Sequence, residues 1–81
     1  MITGPLLSPL SRDRLSGVQG AAAGRGLWPD ILVRNGDFSV DSGETLAKSL
    51  LDEKQPPTAI FCFSDEMAIG VIVALRERGL D

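Results

Sequence analysis

Three short apolar runs, each closed by a turn and followed by a stretch of helical spacing, constrain this chain more than any other feature. The first run is Met1, Ile2 and Thr3, broken at Gly4-Pro5. The second is Ile31, Leu32 and Val33, stopped by Asn35-Gly36-Asp37. The third, residues 59–63, is five apolar residues between Pro57-Thr58 and Ser64-Asp65. Runs this short, bounded by turn residues, read as buried strands. Strands that alternate with helices imply βαβ units, right-handed crossovers and a parallel sheet. The expected fold class is therefore α/β, a three-layer βαβαβα arrangement in flavodoxin-like order with the first strand between the other two. Three parallel strands alone leave two bare edges, which is unusual for a complete domain.

Local signals place the helices. Ser8 before Pro9 starts the first, because proline suits the first helical position. Leu15, Val18 and Ala22 form its stripe, Gly17, Gly20 and Gly24 weaken it by about 1 kcal/mol each, and Arg25-Gly26 ends it. Trp28-Pro29-Asp30 reads as a connection. Ser39 caps the second helix, with Asp41 in its first turn and Leu46, Ala47, Leu50 and Leu51 as its apolar face. Gln55-Pro56-Pro57 forces an extended exit. Ser64 caps the third helix, with Asp65 and Glu66 in the first turn and Gly79 at the left-handed C′ position. Apolar residues cover most of this third helix, which predicts burial on two sides.

Composition excludes several classes of function. Eighty-one residues allow one domain at most. With 43% hydrophobic and 23% charged residues, the chain lacks the signature of disorder. A net charge of −3 argues against a nucleic-acid footprint of its own. The absence of histidine removes Ser-His-Asp and Cys-His catalysis and His-ligated zinc. One cysteine precludes an internal disulfide, so a reducing, cytoplasmic setting is expected. No apolar stretch approaches bilayer length, and the N-terminus does not read as a signal peptide. The scattered acids make no paired set for acid–base work or a metal, and the glycines from 17 to 26 follow no strand, so they are no dinucleotide fingerprint. No catalytic residue, metal or cofactor is expected. Cys62, in an apolar strand without a histidine to activate it, reads as a core residue.

In open α/β sheets, ligands bind beyond the carboxyl ends of the strands. Gly4 to Ser8, Gly36 to Ser39, and Ser64-Asp65 meet there. Phe38, Ser64 and the start of the first helix are the candidates for a site, with Arg12 and Arg14 able to offer forked hydrogen bonds. Pattern alone leaves plainer roles open: solvated charges for the arginines, a satellite core position for Phe38, and capping for Ser64-Asp65.

Four motifs in order and spacing resemble the LacI/GalR family of transcriptional regulators. They are Ile2-Thr3-Gly4-Pro5-Leu6 with Arg12-Asp13-Arg14-Leu15-Ser16-Gly17; Gly36-Asp37-Phe38-Ser39 with Ser42-Gly43; Pro57-Thr58-Ala59-Ile60-Phe61-Cys62; and Ser64-Asp65-Glu66-Met67-Ala68-Ile69-Gly70, running on to Arg78-Gly79-Leu80. The resemblance implies a periplasmic-binding-protein-like fold, in which two subdomains close on a small effector, a sugar or a purine or nucleoside. Residues 1–81 correspond to part of the C-terminal subdomain. By the same resemblance Arg14 contacts the effector, Phe38 stacks on its ring, and Ser64 bonds it with Asp65 in the same motif. Ile69 on the third helix belongs to a homodimer interface. Operator DNA would be bound only through a headpiece that this sequence does not contain. The strand and aspartate-containing loop that complete the pocket are likewise missing, and Val18 replaces the family's aromatic after Gly17. A fragment of such a regulator is the leading expectation. A piece of a transporter's solute-binding protein is the alternative, and a Cys62-centred hydrolase or redox protein is a third reading that an unreactive thiol would dismiss.

Overall fold

The computed structural model describes residues 1–26 and 31–80; the connection expected at Trp28-Pro29-Asp30 lies outside them. Strand β1 is Ile2–Thr3, helix α1 is Pro9–Gly24, strand β2 is Arg34–Asn35, helix α2 is Val40–Leu51 and helix α3 is Asp65–Glu77. β1 and β2 pair in parallel, Ile2 opposite Arg34 and Thr3 opposite Asn35. On its other edge, Ile2 forms a parallel bridge with Cys62. The first strand is thus central, in the order the sequence predicts.

The strands are shorter than the apolar runs suggest. Between 59 and 63 only Cys62 pairs, through Ile2 N–H to the Phe61 carbonyl at 2.8 Å and Phe63 N–H to the Ile2 carbonyl at 3.1 Å. A two-residue β1 offers its neighbour no longer ladder. In the second run, pairing falls on Arg34 and Asn35, just after Ile31, Leu32 and Val33. Those three residues pack against the core half-buried, and the Leu32 carbonyl accepts a hydrogen bond from the Met1 amine at 2.8 Å.

The core gathers Met1, Ile2, Ala47, Leu50, Phe63, Met67, Val71 and Ala74, with Leu15 and Val18 of α1 packed against it. Ile2 and Thr3 are both fully buried, although successive strand residues point to opposite faces. Both faces of the central strand are therefore covered.

Helices α2 and α3 share the most intimate contact. A Cβ on Gly43 would collide with the Met67 backbone, and one on Gly70 with the Val40 carbonyl and Glu44 amide. Only glycine lets two backbones come this close. Lys48 to Glu77 at 2.7 Å and Arg78 to Asp52 at 2.6 Å link the same pair at its surface. Partly exposed pairs of this kind are worth about 0–1 kcal/mol each, so apolar burial and the glycine contact hold the helices together.

The helix ends follow the sequence signals closely. Ser39 accepts from the Ser42 amide and Ser64 from the Met67 amide. Gly26 and Gly79 take positive φ, +71° and +72°. At Gly79 the amides of Gly79 and Leu80 bond the Arg76 and Leu75 carbonyls, a Schellman closure. Ser8 does occupy the N-cap of α1, but its side chain makes no capping bond.

Within this chain α3 is buried on one side only. Met67, Gly70, Val71 and Ala74 are buried against α2 and the core, whereas Ile69 is 52% and Ile72 49% exposed. One helix covers only one face of α3, and the opposite apolar face meets solvent within this chain. Among the described residues, no helix is long and apolar enough to cross a membrane.

Candidate functional site at the carboxyl ends of the strands

Parallel strands deliver their following loops to one edge. Gly4 follows β1, Gly36 to Ser39 follow β2, and Phe63-Ser64 follow the Cys62 bridge. Gly4 is the floor of this edge. A side chain there would strike the Cζ and Cε1 atoms of Phe38 and the Oγ of Ser11, so the absence of a Cβ admits both groups.

Phe38 carries a positive φ of +72°, the left-handed region, and it is the one non-glycine residue described that does so. A bulky side chain in that region costs on the order of 1–3 kcal/mol and persists only where its surroundings impose it. Here they do. The Asp37 carboxylate accepts from the Ser39 amide at 2.9 Å, and the Asp37 amide donates to Ser42 Oγ at 3.3 Å. Ser39 Oγ accepts from the Ser42 amide at 3.0 Å, and the Ser42 hydroxyl donates to the Ser39 carbonyl at 3.0 Å. These bonds lock the residues on either side of Phe38 and turn its ring onto Gly4. Hydrogen bonding from Ser39, and then from Ser42, also holds the Asp37 carboxyl below the usual carboxylate range.

Arg14 reaches from α1 to the third strand-like segment. Its Nη1 donates to the Phe63 carbonyl at 2.6 Å, a short charge-assisted bond at the point where pairing with β1 ends. Phe63 precedes Ser64 directly in the chain, and the guanidinium retains other N–H donors. Ser64 spends its oxygen on the α3 cap at 3.3 Å from the Met67 amide, leaving its hydroxyl proton to donate elsewhere. Asp65 opens α3 as an exposed carboxylate in its first turn. Ile69 stands on the exposed face of α3, away from this edge's loops by more than one helical turn.

The structure therefore brings Arg14, Phe38 and Ser64 to one edge with Asp65 beside them. Arg12 is exposed on the same helix as Arg14. Sequence reasoning missed Ser11, which is 1% exposed and lies beside Gly4. The signal was present: Ser11 is a polar residue at the head of the stripe continued by Leu15, Val18 and Ala22. Cys62 is half-buried, and burial pushes its thiol up, which suits a packing role over a nucleophile. A hollow at the opposite end of the strands, lined in part by Met1, Ile31, Leu32, Pro56 and Pro57, contains none of the predicted site residues.

Chemically, the edge offers a guanidinium, an aromatic ring and hydroxyl groups around a glycine floor. Such a set is chemically suited to hydrogen-bonding and stacking on a polar ring.

Comparison with known proteins identifies the family and the fold. The model of a periplasmic binding protein-like domain matches residues 1–81. The HTH-type transcriptional repressor CytR of Escherichia coli is 40% identical over 80 residues, covering 98% of this chain and 24% of CytR. Catabolite control protein A of Priestia megaterium is 38% identical over 82 residues, covering 99% of this chain and 25% of that protein. The crystal structure of a LacI transcriptional regulator from a Rhodococcus species superposes with a TM-score of 0.90 at 32% identity, covering 99% of this chain and 30% of that one. The chain spans about a quarter of the length of the curated relatives it matches.

Proposed function

Because the chain belongs to the periplasmic binding protein-like domain family, in the form carried by LacI-type regulators, we propose that it is one wall of an effector-binding cleft in a transcriptional regulator. Residues 1–81 make up part of the C-terminal subdomain, and a second subdomain supplies the facing wall. A sugar, purine or nucleoside enters between them. Arg14 bonds its polar edge, Phe38 stacks on its ring, and Ser64, with Asp65 next to it, bonds its hydroxyl groups. No chemical step is involved; the work is differential binding, in which the effector shifts the balance between open and closed arrangements and so the affinity for operator DNA. The DNA contact belongs to a headpiece outside these residues. Ile69 and the exposed face of α3 serve self-association of the regulator in the cytoplasm.

One observation carries the reading. Phe38 is held in a left-handed backbone conformation by four hydrogen bonds, with its ring aimed at the strand ends where Arg14 also arrives. Strain of this kind collects at ligand sites. The relatives matched in sequence include transcriptional repressors, which favours a regulator over the solute-binding protein of a transporter.

The test is a titration of the isotopically labelled chain with nucleosides, purines and common sugars, followed by amide NMR. With one wall alone, the expected binding is weak and its shifts cluster at Gly4, Arg14, Phe38 and Ser64. Shifts confined to the hollow around Met1 and Pro57 would refute the placement of the site.

A further inference from the structure

Ser11 presents a problem that the fold leaves unsolved. Its side chain is 1% exposed, and its Oγ has no hydrogen-bond partner among the described residues. A buried hydroxyl left unpaired destabilises a native state, and such groups are few. This one lies at the strand-end edge. Ser11 Oγ and the Phe38 ring converge on the same point above Gly4. Ser11 also stands three residues before Arg14, hence on the same face of α1. The head of that helix is open in a second respect: the Ser8 side chain forms no cap, and the first turn carries no acidic residue. Among the described residues, the polar groups of the first turn of α1 thus lack side-chain partners.

We propose that Ser11 is a further effector-binding residue, whose hydroxyl bonds a hydroxyl group of a sugar or ribose ring once the Phe38 ring swings off Gly4. The inference rests on the reading of this edge as the effector site. A ring hydroxyl is the matching chemistry because both groups can donate and accept, and a neutral pair buries no charge. Phe38 is the movable part. Its ring helps to close off the serine, and rotation about its own side-chain bonds moves the ring while the four hydrogen bonds hold the backbone. Without ligand, Phe38 covers the hydroxyl; with ligand, Phe38 stacks on the ring that Ser11 holds.

Thermal melts and one titration test this. Ser11→Ala in the full chain should raise Tm by about 4–8 °C beyond the effect of Ser16→Ala, an exposed serine on the same helix. In a Phe38→Ala background that extra gain should disappear, because water then reaches the hydroxyl. If Phe38→Ala does not fold, Phe38→Leu, a smaller cover, should reduce the gain. Amide NMR with D-ribose, D-glucose and adenosine as probes should show saturable shifts at Gly4 and Ser11, weakened about 2- to 12-fold by Ser11→Ala. A lower Tm for Ser11→Ala, or an unchanged gain without the Phe38 ring, overturns the proposal. Equal affinity in the variant, with shifts still at Arg14, Phe38 and Ser64, overturns the role of Ser11 alone. No shift at any of these residues with any probe overturns both Ser11 and the effector site.

Discussion

Gly70→Ala should unfold this protein far more readily than a one-carbon change in a helix normally would. Glycine is a poor helix former, and alanine in its place should stabilise an isolated helix by about 1 kcal/mol. At position 70 that gain is overruled. The added carbon would overlap the Val40 carbonyl oxygen and the Glu44 amide nitrogen, and would press on the Gly43 carbonyl carbon. All three are backbone atoms of α2 or its start, so no side chain can rotate away; α3 must move out. Overpacking a tight core costs about 1–3 kcal/mol, and moving α3 also loosens Met67, Val71 and Ala74 from the core. A net loss of about 2 kcal/mol is expected, from a total of about 4–12 kcal/mol for a chain this size. Tm should then fall by about 8–16 °C in a far-ultraviolet circular dichroism melt. The control is Gly17→Ala or Gly20→Ala in α1, where nothing stands within 4 Å; each should raise Tm by about 4–8 °C. A Gly70→Ala variant as stable as the parent would show that the two helices do not cross at their glycines.

Other perturbations have equally definite outcomes. Ser39→Ala and Ser64→Ala each remove a cap that bonds an α2 or α3 amide, and each should cost about 1 kcal/mol in denaturant melts. Hydrogen bonds from Ser39 and Ser42 lower Asp37, and the Arg78 hydrogen bond lowers Asp52. Their stabilising effect is complete above the ordinary carboxylate range and fades as pH falls below it through the depressed folded values. Melts taken downward from pH 6 should therefore lose stability in acid, and Asp37→Asn with Asp52→Asn should flatten that loss. Ile69→Glu should weaken self-association in sedimentation experiments at tens of micromolar, because it charges the exposed face of α3; a parent chain that is cleanly monomeric would dismiss that interface.

The helix starts and stops were legible because they depend on a few neighbouring residues. Ser39, Ser64, Gly26 and Gly79 act within a turn of where they stand. The central position of β1 followed from chain order and the handedness of crossovers. Strand length did not, because it depends on how much of a partner lies opposite; five apolar residues at 59–63 still make one bridge. The α2–α3 contact was hidden for a similar reason. Gly43 and Gly70 look like ordinary weak helix residues until the crossing places one backbone on the other. That Arg14, Phe38 and Ser64 lie at the strand-end edge was readable from chain order, whereas their proposed role rests on the family pattern. The positive φ of Phe38 and the buried Ser11 hydroxyl were not, since both arise from packing over Gly4.

The most direct measurement transplants these eighty-one residues into the corresponding stretch of E. coli CytR and follows operator binding as nucleosides and sugars are added. A receptor wall built from Arg14, Phe38 and Ser64 predicts a repressor whose grip on DNA responds to at least one such compound, with the response abolished by Arg14→Ala and Phe38→Ala. A chimera that holds its operator while ignoring every compound, or responds identically with both residues replaced, would contradict it.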